Sequence, residues 1–390
     1  MAKAKNFILY LCAAAVCVLL VGAGSLLAGG DTAAEAVPEP GEWFYMTPDG
    51  TMAADGSPVT TCIRVGTLPN TMVLFCGGGI SINEYTAARS YGVTEIPDGF
   101  YSDNGSVILE NIIDSGLLNF EQSDLLANWN IIIIPYSTAD YHIGTGDFPY
   151  TTLDGEDAVL HHCGYTNFRA IMDAASQYIT GADNLLIAGY SAGGFGAVML
   201  ADELIEDYFP DAQNITLCID SALNVSDSWQ SIAADVWQTP EHITDTIQSD
   251  NLVVDFMSAL YEKYGESLRY LYVNSLYDGE LTRYQNYFFT DDFESSNEQS
   301  LNFEYMLNDM LTRLRQAVPT IGIYLYDHLP YTFSADQSQL TQHTILTSDT
   351  IFWPLTDNTS VMQWITNAVN GRVQSRGLDL LDNLEEPETP

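Results

Sequence analysis

Asn184–Leu204, NLLIAGYSAGGFGAVMLADEL, begins as an apolar strand, breaks at Gly-Tyr-Ser-Ala-Gly-Gly and resumes with helical spacing. A serine at such a break is either part of a tight turn or a nucleophile projected from the backbone. Gly189-Tyr190-Ser191-Ala192-Gly193 fits G-x-S-x-G, with a strand before it and a helix after it, the context that pattern requires. Small neighbours let the chain turn sharply, so the Ser191 hydroxyl projects above the sheet. The helix start presents free N–H groups where negative charge would develop. Choosing between turn and nucleophile then depends on whether the rest of the chain supplies a base, an acid and an oxyanion site.

Outward from this stretch the same alternation recurs. TMVLFCGGG (71–79) and WNIIIIPYSTAD (129–140) read as strands, and the four isoleucines of the second suit a strand buried on both faces. NFRAIMDAASQYIT (167–180) has helical spacing and leads into LLIAGYS, and GFGAVMLADELIEDYF follows as a helix. ITLCIDSA (215–222), LRYLYVNSLYD (268–278) and TIGIYLYDHL (320–329) are further strands, and SVMQWITNAVNG (360–371) is a closing helix. Alternating strands and helices predict an α/β fold with a mostly parallel sheet covered on both faces and functional groups at the carboxyl ends of strands. No internal repeat or low-complexity tract interrupts the pattern.

The chain has 390 residues, 46% of them hydrophobic and 12% aromatic, which is a globular composition large enough for a full core. Its 12 basic and 52 acidic residues give a formal charge of −40, a field that disfavours nucleic acid and anionic membranes as partners and serves as a solubility coat. Lys3 and Lys5 precede an apolar run from about Phe7 to Ala28, the layout of a secretory signal. At roughly 20 residues the run is also long enough for an uncleaved membrane anchor. Either reading puts the rest of the chain outside the cell. The expected organisation is a signal peptide or anchor over 1–30, a linker over 31–45, one catalytic domain over 46–372 with candidate cap insertions at 224–265 and 280–316, and an acidic tail over 373–390.

Two of the six cysteines, Cys12 and Cys17, lie in the leader; Cys62, Cys76, Cys163 and Cys218 allow up to two disulfides in an oxidising compartment. No Cys/His spacing fits zinc, so neither a metal nor a cofactor is expected.

Where the nucleophile is a serine on such an elbow, the acid and then the histidine follow it along the chain. Of the three later histidines, His242 reads as a surface residue. His343, in the loop beyond the last strand, is the better candidate base; His328, at that strand's end, is the alternative. Asp278 and Asp220 both end strands, where an aspartate also serves simply to cap the next helix. Asp278 is preferred as the acid because it follows the strand after the inserted region, and Asp220 is second. For the oxyanion site, the Ala192 N–H pairs naturally with Gly78 or Gly79 of the triple glycine Gly77-Gly78-Gly79. Asp140, His142, Tyr190 and Gly193 are candidates for the pocket around it, with a loop-holding role equally open for Asp140 and His142.

With these residues in hand, the chain resembles the pectin acetylesterase and Notum family of carboxylester hydrolases. VLFCGGGI, WNIIIIPYSTADYHIGTG, HHCGYTNFRAIMD, AGYSAGGFGA, LCIDSALN, YVNSLYDGE and QHTIL fall in the family's order from about Cys62 to Phe352. The resemblance implies an α/β-hydrolase-like fold with Ser191 as nucleophile, Asp278 as acid and His343 as base. It departs from the family pattern at Ile80–Tyr85, where relatives carry Trp-Cys, and at Ala139-Asp140, where they carry Gly-Asp. It implies removal of O-acyl groups, most simply acetyl, from an acylated polysaccharide such as pectin or from a small ester. A longer-chain lipase, thioesterase or protein deacylase, or a non-catalytic surface protein on the same scaffold, are the competing readings. Because polygalacturonate is a polyanion, a chain at −40 meets neutral acetylated polymers more easily unless salt screens the repulsion.

Overall fold

The computed structural model describes residues 37–94, 98–328, 337–382 and 384. The expected leader therefore lies outside the described residues, and among those no helix is long and apolar enough to cross a membrane. Pro38–Pro390 forms one compact unit, apart from Met1–Val37.

The strands are β1 (Trp43–Met46), β2 (Thr61–Arg64), β3 (Asn70–Phe75), β4 (Asn130–Ile134), β5 (Gly146–Thr151), β6 (Asp157–His162), β7 (Asn184–Tyr190), β8 (Asn214–Asp220), β9 (Leu268–Ser275) and β10 (Gly322–Tyr326). Eight of them form one sheet in the order β1-β2-β4-β3-β7-β8-β9-β10, while β5 and β6 make a separate hairpin. From β4 to β10 every neighbour is parallel; β1 and β2 are joined antiparallel at one edge. Ile131–Ile134 in β4 and Leu185–Tyr190 in β7 are buried along their whole length, as strands covered on both faces must be.

The helices are α1 (Glu84–Ala87), α2 (Gly105–Ile112), α3 (Gly164–Ala175), α4 (Ala192–Glu203), α5 (Trp229–Ser231), α6 (Glu241–Thr244), α7 (Leu252–Tyr264), α8 (Gly279–Thr290), α9 (Asn297–Ala317) and α10 (Val361–Val369). Ala192–Ala201 of α4 is buried on every side, because the helix is packed between the sheet and α7. The segments expected as insertions are helical: 224–265 holds α5, α6 and α7, and 280–316 holds most of α8 and α9. In them α7 packs on α4 and α9, while α8 carries side chains to the site.

Chain direction across the sheet reverses at β3, whose neighbours are β4 on one side and β7 on the other. Crossovers leaving in both directions put helices on both faces and open a crevice at the carboxyl ends of these strands. Gly77–Gly79 and Ser191 follow β3 and β7 into that crevice, aligned by the register Phe75↔Gly189.

Two expected boundaries and one expected bond type differ from the structure. The domain begins before residue 46: the Gly41 amide donates to the Val65 carbonyl at 2.8 Å, and β1 pairs with β2. The presumed tail from 373 begins as part of the fold, with the Arg376 amide donating to the Ile323 carbonyl at 2.7 Å and the Leu325 amide to the Arg376 carbonyl at 3.1 Å. Cys62, Cys76, Cys163 and Cys218 are all unpaired and buried. Cys62 and Cys76 lie on β2 and just past β3, with β4 between them, so two strand spacings of about 4.8 Å exceed the reach of a disulfide.

Candidate active site

Ser191 has φ 53° and ψ −128°, a strained conformation for a residue with a Cβ. Its surroundings hold it there: its amide donates to the Asp220 carbonyl at 2.9 Å and its carbonyl accepts the Gly194 amide at 2.8 Å. The turn is tight enough that a Cβ on Gly193 would collide with the Phe75 carbonyl, and one on Gly189 with the Gly193 carbonyl. The glycines of the motif are thus required by close backbone approach, and Gly193 packs beneath the turn rather than lining the pocket.

The triple glycine meets this turn from β3. A Cβ on Gly77 would lie 2.7 Å from Ser191 Cβ, so that position is closed to any side chain. Gly79 adopts φ +82°. The Ser102 amide donates to the Gly78 carbonyl at 2.7 Å, and the Tyr136 hydroxyl donates to the Gly79 carbonyl at 2.9 Å. Those bonds occupy the carbonyls, while the amides of Gly78, Gly79 and Ala192 have no hydrogen-bond partner among the described residues. Unpaired amides in the turns next to a hydroxyl, one at a helix start, can stabilise a developing oxyanion.

His343 Nδ1 donates to Asp278 Oδ2 at 2.8 Å and Oδ1 at 3.0 Å. Carboxylate oxygens only accept, so this pairing fixes the proton on Nδ1 and leaves Nε2 as the basic nitrogen. Asp278 is fully buried, and its Oδ1 also accepts the amides of Glu280 at 3.1 Å and Leu281 at 2.9 Å. The two roles weighed for this residue, helix cap and histidine partner, are therefore held by one carboxylate. Burial works to lower the imidazole pKa, but the Asp278 charge and hydrogen bond outweigh it, and the net direction is up from 6.5.

The loop carrying His343 is pinned on two sides. The Gly279 amide donates to the Thr341 carbonyl at 3.1 Å and the Thr341 amide to the Tyr277 carbonyl at 2.9 Å. On the other side Asp220 Oδ2 accepts the amides of Ile345 at 2.6 Å and Leu346 at 2.9 Å. Asp220 is thus a loop holder and not the imidazole's partner. Burial raises its pKa to about 6 against the pull of those amides. His328, the alternative base, is exposed at the end of β10 and does not line the cavity.

Ser191, His343, Tyr190 and Gly77–Gly79 line one cavity of about 400 Å³. Among the described residues no hydrogen bond joins Ser191 Oγ to His343; catalytic bonds of this kind often tighten only in the complex with substrate. Asp140 and His142 stand outside the lining and support it from behind. Asp140 accepts from Thr138 Oγ1 at 2.7 Å, the His142 amide at 3.1 Å and the Gly164 amide at 2.7 Å; burial lifts its pKa to about 6. His142 Nε2 donates to the Cys76 carbonyl at 2.9 Å, directly before the glycines, and burial lowers its pKa to about 4. Of the two roles open to them, pocket lining and loop holding, complete burial among these bonds favours the second, as a brace for the Gly77 turn.

The sequence reading missed the rest of the wall: Tyr91, Ile108, Asn111, Ile112, Glu280, Tyr284, Thr344 and Thr347. Only Glu280 carried a signal, two residues past Asp278 in the first turn of α8. Among the described residues no group of three or more His, Cys, Asp or Glu side chains could hold a metal ion.

A family model described as Pectinacetylesterase matches residues 48–250. Two crystal forms of the Wnt deacylase Notum from Drosophila match with TM-scores of 0.55 and 0.53, at 16% and 15% identity. The alignments cover 85% and 86% of this chain and 94% and 96% of the Notum chain, a likeness of fold. No curated protein matches.

Proposed function

Because the chain belongs to the pectinacetylesterase family and is a carboxylic ester hydrolase, we propose that it removes O-acetyl groups from an acylated polysaccharide, outside the cell, through a Ser191 acyl-enzyme. The observation that carries this reading is that His343, bonded to Asp278 behind it, lines one cavity with Ser191 and with Gly78 and Gly79, whose amides are open.

In the proposed cycle Ser191 Oγ attacks the acetyl carbonyl and gives its proton to His343 Nε2. Asp278 steadies the imidazolium, and the amides of Ala192 and Gly78 or Gly79 receive the oxyanion. The bond from carbonyl carbon to sugar oxygen then breaks, and His343 passes the proton to that oxygen. Water, deprotonated by the same nitrogen, adds to the acetyl-enzyme, and acetate leaves as Ser191 regains its proton.

A short acyl group is favoured because, among the described residues, Ile108 and Ile112 are the only aliphatic residues in the wall, too few to line a tunnel for a long chain. The test is acetate release from acetylated polysaccharides, together with p-nitrophenyl esters of rising chain length. Activity falling steeply beyond short chains, and lost in Ser191→Ala, is the expected result. A long-chain optimum would replace this reading with a lipid deacylase, and activity that survives Ser191→Ala would end the mechanism.

A further inference from the structure

We propose that Glu280 makes this site select acetyl groups on neutral, hydroxyl-rich sugars and reject those on uronate units; the inference rests on the carbohydrate deacetylase reading above. Glu280 sits in the first turn of α8, and its side chain lines the same cavity as Ser191 and His343. Among the described residues no lysine or arginine lines that cavity, and the one cationic candidate there is His343, whose proton the chemistry itself moves. A sugar ring carrying its own carboxylate would meet Glu280 at short range, in a crevice screened poorly by bulk salt.

The carboxylate is held in place from behind. Arg283 Nη1 donates to both Glu280 oxygens at 3.1 Å, and its guanidinium lies 4.2 Å from the centre of the Phe293 ring. That side chain is only 8% exposed, so Arg283 orients Glu280 from beneath rather than offering a charge to substrate. The other polar groups at the wall suit hydroxyls. Asn111 brings an amide that both donates and accepts, and Tyr91 is partly exposed and linked through its hydroxyl to Tyr284 at 3.4 Å. Carboxylate, amide and tyrosine at one opening form a receptor for sugar hydroxyls. A receptor for uronate would need a cation where Glu280 stands.

The experiment compares kcat/KM for acetate release from three purified substrates: acetylated xylo-oligosaccharides, acetylated oligogalacturonate with free carboxylates, and the same oligogalacturonate after methyl esterification. The two galacturonates share one backbone, and the second carries methyl esters in place of the free carboxylates. The expected result is that methyl esterification raises kcat/KM by at least roughly tenfold, and that Glu280→Gln shrinks that ratio to within about threefold. Taking the ratio within one variant cancels any change that Glu280→Gln makes to His343. If loss of the carboxylate strands Arg283 and the single variant misfolds, the double variant Glu280→Gln/Arg283→Met removes both charges and should shrink the ratio equally. A ratio near one in the wild type, or one unchanged in a folded Glu280 variant, overturns the inference and leaves carbohydrate deacetylation standing. Absence of acetate from all three polymers, with Ser191-dependent cleavage of p-nitrophenyl acetate intact, overturns both.

Discussion

The Asp220 carboxylate is bonded to the amide of Ile345 at 2.6 Å, and through it the end of β8 holds the loop that carries His343. Asp220→Ala removes the oxygen that accepts both backbone amides. Unfolding in urea should show a loss of about 1–3 kcal/mol, and kcat should fall at least about tenfold as the imidazole loses its fixed position. Wild-type stability in this variant would show that the two amide bonds contribute nothing net.

Asp278 offers a way to separate its two duties. Asparagine caps helices about as well as aspartate, so Asp278→Asn should unfold within roughly 0.5 kcal/mol of wild type. It cannot impose the same tautomer or balance an imidazolium, so kcat should drop by about 10³–10⁴. Asp278→Ala loses the cap as well and should unfold about 1 kcal/mol more easily. Calorimetry and turnover measured on both variants test the separation.

The pH profile follows from the sign of the His343 shift. Burial favours the neutral ring, but Asp278 more than reverses this, and the pKa is raised above 6.5. The base must be neutral to act, so kcat/KM should fall on acidification with a midpoint above that of an ordinary histidine. In Asp278→Asn burial is opposed only by the charges of Glu280 and Asp220, and the acid limb should move to lower pH. For stability, the raised pKa means the charged pair's contribution is fully present below 6.5 and is lost as pH rises through the folded value. An acid limb that stays in place in Asp278→Asn would assign it to another group.

Strain at Ser191 predicts opposite outcomes for function and stability. Ser191→Ala and Ser191→Gly should both lose activity against p-nitrophenyl acetate. Alanine keeps the unfavourable φ of 53°, whereas glycine relieves it. The glycine variant should therefore melt above the alanine variant, with a stability difference of about 1 kcal/mol. Equal melting temperatures would mean the turn is not strained.

A formal charge of −40 sets the response to salt. Raising sodium chloride from ~0.05 M to ~1 M shortens the screening length to about 3 Å. Self-repulsion should weaken, and the melting temperature should rise by several degrees. A flat or falling curve would mean that local pairs, such as Lys263 with Asp202 and Glu206, outweigh the global field.

The sequence was most legible where local pattern and tertiary role coincide. Strands such as Ile131–Ile134 are apolar because both their faces are covered, and the Gly189–Gly193 spacing reflects a backbone contact close by in the chain. Asp220 and Asp278 read alike, each ending a strand; only the path of the His343 loop over the sheet makes one a loop holder and the other the imidazole's partner. Asp140 and His142 left two roles open, pocket lining and loop holding, since burial is not visible in a heptapeptide. The cysteines misled through composition, because pairing depends on a strand order that places β4 between β2 and β3. Glu280 was missed because what distinguishes it is the wall it faces.

The order in which these parts leave the ribosome also matters. Ser191 and its glycine neighbours belong to strands near the middle of the sheet, while His343 arrives on the loop beyond β10 and is fastened back onto β8 and the Asp278 turn. A partly synthesised chain can shape the elbow but has no base to arm it. Under the proposed mechanism hydrolysis then waits until the last strand has docked, and an unfinished chain carries a silent serine.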